Sequence, residues 1–112
     1  MANRIEAPNV VSESVLKHLI VEEGHSMEVV CQSPPELVHG QWRGSWFVKA
    51  IDPDTGTEKL LIPFRVTPSQ GIKIREFKTA TGLISFIVQI GFEVAALPMV
   101  DGQKSQMRRK AG

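Results

Sequence analysis

The spacing of apolar positions changes along this chain, and each change predicts an element. In "VVSESVLKHLIVEEG", Leu16, Leu19 and Ile20 follow helical spacing. Ser12 is placed to cap the first amides, Val11 and Leu16 to staple the entry, and Gly24 to stop the helix. "SMEVVCQS" is rich in β-branched residues and reads as a strand, which Pro34 and Pro35 are expected to halt before a loop or single turn through Leu37–Gly40. Two further β-prone runs, "GSWFVKAI" and "TEKLLIPFRV", flank "DPDTGT", where Pro53 presets a turn and Gly56 accepts positive φ. Pro63 in the returning run predicts an edge, a bulge or a late start.

"TPSQG" predicts another turn. "IKIREF" then alternates, with Ile72 and Ile74 on one face and Lys73, Arg75 and Phe77 on the other. The period next becomes helical: Leu83, Phe86, Ile87 and Ile90 fall at i, i+3, i+4 and i+7, with Thr79 or Thr81 as cap and Gly91 as stop. Ile84 and Val88 add a second apolar stripe, so this helix must be covered on more than one side, in a cleft or by another copy of the chain. "FEVAALPMV" predicts a last strand, limited by Pro98. The expected order is α-β-β-β-β-α-β: an α+β fold in a single small domain, mainly antiparallel sheet, with the second helix packed on it. Residues 1–10 are expected to be a flexible N-terminus, 11–100 the domain and 101–112 a mobile basic tail.

Composition sets the bounds. The 112 residues, 42% hydrophobic and 22% charged, suffice for one core and are few for two. The net charge of +1 conceals an asymmetry: residues 1–56 hold four Lys/Arg against eight Asp/Glu, and residues 57–112 hold nine against four. A cationic second half would steer anionic partners unless the halves interleave and cancel. Cys31 is the single cysteine, which excludes an internal disulfide and suits a reducing compartment. The opening "MANRIEAPNV" has Arg4 and Glu6 and no continuous apolar run, so no secretory signal is expected and the cytoplasm is the expected location. Gln89, Gly91, Glu93 and Pro98 interrupt the apolar stretch 83–100 and argue against a membrane span.

Motifs for chemistry are sparse. His18, His25, Cys31 and His39 are too widely spaced for a common metal site, and Cys31 within "MEVVCQS" reads as core filler, not as a nucleophile. "DPDTG" lacks the later ligands of a calcium loop, and no phosphate-binding glycine loop or nucleophile elbow is present. No cofactor or metal is expected, and no enzymatic activity. The first reading of function is a small nucleic-acid-binding or regulatory protein, and the alternative is a protein-interaction module, a homodimer or an accessory inhibitor or adaptor. In one, Lys49, Arg65, Lys73, Arg75, Phe77 and Lys78 form a basic, aromatic-bearing sheet face for DNA or RNA, and Arg108, Arg109 and Lys110, with Lys104, add phosphate contacts from the tail. In the other, Trp42 and Trp46, or Ile84 and Val88, supply an apolar interface with a second copy or another protein. The corresponding bland readings are a solvated, cation-guarded sheet face and tryptophans that belong to the core.

The run "REFKTATGLISFIVQIGF" resembles a pattern in small bacterial proteins, some encoded on plasmids or other mobile elements: a basic strand, Phe-Lys-Thr, then a helix closing on Ile-Gly-Phe. That likeness implies a bacterial origin and transfers no site residue. The α-β-β-β-α part of the order is similar to that of double-stranded RNA-binding domains. It departs from them in its extra strand and in a second helix that begins "TATGLIS" without a basic cluster.

Overall fold

Residues 9–63 and 74–109 are described by the computed structural model. After a two-residue strand, β1 (Val10–Val11), Ser12 leaves the chain extended and its hydroxyl accepts from the Val15 amide at 3.4 Å, which starts α1 (Glu13–Val21). Leu16, Leu19 and Ile20 are buried, and Gly24 takes φ 71° where the helix gives way to strand. Both ends and the buried face of this helix follow the sequence pattern.

The next strand does not stop where the prolines predict. β2 (Ser26–Val38) runs through Pro34 and Pro35 and returns as β3 (Gln41–Ile51) through His39 and Gly40. Both turn residues have positive φ, 49° and 79°, the sign pattern of a type I′ hairpin, whose twist matches that of the flanking strands. The prolines are tolerated because register shifts between Cys31 and Ser33, and again between Ser33 and Glu36, put an extra β2 residue opposite β3, so their missing N–H groups fall outside the regular ladder. The bulge requires close backbone approach. A Cβ on Gly44 would lie 2.8 Å from the Ser33 carbonyl oxygen and 3.1 Å from the Pro35 Cα.

β4 (Glu58–Leu61) pairs antiparallel with the end of β3 across a turn in which Asp52 accepts from the Asp54 amide at 2.8 Å and Gly56 has φ 78°. The strand ends before Pro63, and its free side is taken by β1, in parallel register Val10↔Leu60. β5 (Phe77–Thr79) pairs antiparallel with the first half of β3, and α2 (Ala80–Ile90) follows at once. Thr79 caps α2 through the Gly82 amide at 3.0 Å, and Gly91 ends it in the left-handed region at φ 117°. β6 (Lys104–Met107) adds antiparallel to β2. Over the described residues the result is an α+β fold with two helices and a mixed sheet ordered β1-β4-β3-β2-β6, with β5 on β3.

Met27, Val29 and Cys31 on β2 and Trp46, Val48 and Ala50 on β3 alternate onto one face and form a single core with Leu16, Ile20, Leu83 and Ile87. Each fully buried aliphatic side chain there contributes about 1.5–3 kcal/mol. Two further sequence expectations are corrected. "FEVAALPMV" forms no strand; the final strand lies within the expected mobile tail, where Met107 is buried and the backbone completes the ladder of β2. The segment 74–76 is irregular and β5 begins at Phe77, so over the described residues 74–77 the expected alternation does not hold: Ile74 is exposed and Phe77 is buried. The expected turn at 67–71, with residues 72 and 73, lies outside the described residues.

Gly44→Ala should lower stability by about 1–3 kcal/mol, because the clashing partner is backbone and cannot swing aside. Thermal unfolding should register this as a loss of roughly 4–8 °C per kcal/mol. An unchanged midpoint would mean that the bulge relaxes at no cost.

Candidate interaction surface

Four separate segments meet in an open apolar groove of about 530 Å³, lined by Pro35, Trp42, Ala80, Ile84, Leu97 and Met99. The hairpin supplies one wall. Leu37 and Trp42 are cross-strand partners near its turn and stand 59% and 53% exposed. Helix α2 supplies the second wall. Its Leu83, Phe86, Ile87 and Ile90 face the core, which leaves Ile84 and Val88, one turn apart, 43% and 58% exposed. Over its whole length α2 has no charged residue.

The third wall is the irregular segment 92–100. The Trp46 indole N–H donates to the Pro98 carbonyl at 2.8 Å in a buried bond, and Leu97 packs against the core. The Met99 amide donates to Gln103 Oε1 at 3.1 Å, and Ser105 Oγ donates to the Ala96 carbonyl at 2.5 Å. These bonds to β6 and to the residue before it hold the segment in place without a ladder. Trp46 itself is fully buried, so its assignment to an interface is corrected: it positions the groove and lines none of it.

Among the described residues, the basic positions are divided between carboxylate partners and separate surface depressions. The Lys49 ammonium lies 2.8 Å from Glu58 Oε1 and 3.7 Å from Glu28 Oε1, with its side chain only 20% exposed. That hydrogen bond and charge hold the Glu58 carboxyl below the usual range for its type. Phe77 is 4% exposed, tilted against Phe86 at 4.9 Å between centroids, so it offers no face for base stacking. The Arg75 guanidinium covers its ring at 4.4 Å, near Glu13 and Lys17 in a surface depression. Lys78 shares another depression with Arg43, Glu36 and Glu76. Arg108 and Arg109 share a third with Glu93, and Arg109 packs its side chain over Gly91 at the end of α2. Lys104 is exposed on β6. Arg65, Lys73 and Lys110 lie outside the described residues.

Cys31 is buried in the core, its thiol directed at the Ser33 carbonyl at 3.3 Å; burial, reinforced by Asp101, raises its pKa. Among the described residues no three His, Cys, Asp or Glu side chains come together as a metal site would require, and no helix is long and apolar enough to cross a membrane. Compared with models of known protein families, with curated proteins and with solved structures, the chain matches none.

Pro35, Leu37, Leu97 and Met99 are the surface residues that sequence reasoning missed. Their signal is weak: isolated apolar residues in the proline-containing runs "PPELV" and "LPMV".

Two measurements check these placements. Thiol labelling of Cys31 should be slow in the native protein and fast in denaturant, and equal rates would show that the thiol is not buried. The depressed Glu58 carboxyl contributes stability above its unfolded pKa that is lost as pH falls through its lower folded pKa. Glu58→Gln should therefore flatten the acid limb of the stability curve, and an unaltered limb would mean that the Lys49 pair contributes nothing measurable.

Proposed function

We propose that this chain is a non-enzymatic protein-interaction module that buries the groove beside α2 against another polypeptide. The observation that carries the reading is the groove's lining: six apolar residues from four segments, including a half-exposed tryptophan and a half-exposed methionine, with no charged side chain among them. Tryptophan contributes large contact area with few torsions to freeze, and methionine adapts its shape to a partner. Such residues in a concave apolar setting are the usual anchors of protein interfaces. Support for the nucleic-acid reading is thinner. A phosphate-binding face needs uncommitted, adjacent cations, whereas Lys49 is shared by two carboxylates, the pairs Arg43 and Lys78, Lys17 and Arg75, and Arg108 and Arg109 each share a depression with at least one carboxylate, and Phe77 is covered.

The test is titration with an apolar fluorescent dye, 1-anilinonaphthalene-8-sulfonate, at a dilution where sedimentation finds a monomer. The same protein is titrated with single- and double-stranded DNA and RNA at several salt concentrations. Dye emission should rise on binding, Ile84→Glu should reduce that binding several-fold, and Arg75→Ala should leave it unchanged. Dye binding indifferent to Ile84→Glu would overturn the reading. So would salt-sensitive nucleic-acid binding that Arg75→Ala and Lys78→Ala weaken.

A further inference from the structure

We infer that the polypeptide filling the groove is a second copy of this chain, packed α2 against α2 about a two-fold axis. The inference rests on the groove being an interaction surface and adds the identity of its occupant. In a two-fold interface each patch meets itself, so a charge near the axis faces its own sign. Helix α2, Ala80–Ile90, presents Thr81, Gly82, Ile84, Ser85, Val88 and Gln89 as its exposed residues, and none is charged. The surface is therefore compatible with itself, and offers a charged partner nothing to pair with. The formal charge of +1 on the whole chain adds almost no repulsion between copies.

Area points the same way. Leu37, Trp42, Ile84, Val88 and Met99 are each between 43% and 59% exposed. Together they leave on the order of 500 Å² of exposed surface, within the range of the largest apolar patch on a typical monomer, which is often functional. With its polar rim such a patch approaches the roughly 800 Å² per partner that a stable dimer buries. Small exposed residues at Thr81, Gly82 and Ser85 allow two helices to approach, while Ile84 and Val88 of one copy seat against Trp42 and Met99 of the other.

The sheet edges offer a poorer route. β6 is four residues long and carries an exposed lysine, Lys104, and the part of β2 beyond its reach contains Pro34 and Pro35. Short, charged or proline-bearing edges resist strand addition.

Sedimentation velocity of the full chain, from low micromolar to several hundred micromolar, tests the proposal. The expected species at high concentration has twice the 12.4 kDa mass of one chain. Val88→Asp should weaken association at least tenfold with an unchanged circular dichroism spectrum, since Val88 is exposed and outside the core. Val15→Asp, at an exposed site on α1, should leave the dimer intact. A wild-type monomer throughout the range would overturn the proposal, as would a dimer that Val88→Asp does not weaken or that Val15→Asp breaks. If the monomer still seats the dye in an Ile84-dependent way, only the second-copy occupant is lost; if it does not, the groove reading fails with it.

Discussion

Trp46 is the residue around which the rest of this molecule is arranged. It sits on the central strand with Cys31 of β2 as one Cα partner and Phe77 of β5 as the other, and none of its surface reaches solvent. Its ring edge lies over Gly44, where an added Cβ would come within 3.1 Å of it. A buried indole N–H without a partner would cost about 1–3 kcal/mol, and here the Pro98 carbonyl removes that cost. One side chain thus ties together the bulged hairpin, the short strand that leads into α2, and an irregular segment that has no ladder of its own.

The groove follows from that tie. Trp42 lies four residues before Trp46 on the same strand, past the end of the core, and Leu97 and Met99 flank the proline whose carbonyl the indole holds. Helix α2 enters directly from β5, so its start is fixed by the same strand pairing. A helix whose apolar residues extend beyond one stripe has more apolar surface than the sheet can cover. Of the surplus, Ile84 lines the groove beside Trp42, Leu97 and Met99, and Val88 stands exposed one turn further along the helix.

Where structure is set by nearby residues, it was legible in the sequence. Both helices have side-chain caps, glycine stops and a 3.6 period, and their buried faces are those the spacing picks out. The turn at "DPDTGT" forms for reasons contained within it. Passage of β2 through two prolines depends on Gly44, across the hairpin, and no local pattern announces it. Alternation running from Ile72 predicts Phe77 on the outer side, whereas β5 starts at Phe77 itself and packs that first side chain against Phe86. "KSQM" has little intrinsic preference for a strand; it becomes one because β2 has an open edge there and Met107 has a buried position to occupy. The candidate surface was half visible. Ile84, Val88 and Trp42 stood out as surplus, but a groove built from four distant segments has no signature in any one of them.

The most direct test of this arrangement is amide hydrogen exchange on Trp46→Phe, which keeps an aromatic ring in the core and deletes the indole donor. Exchange should accelerate most at Ala96, Met99 and Gln103, whose amides donate to Met107 Sδ on β6, to Gln103 Oε1 and to the Val100 carbonyl and so hold the segment that Trp46 anchors, while Leu60 and Ile62, bonded to the β1 region, keep their protection. Acceleration spread evenly over the whole chain, or none in residues 92–103, would contradict the claim that this one hydrogen bond builds the groove.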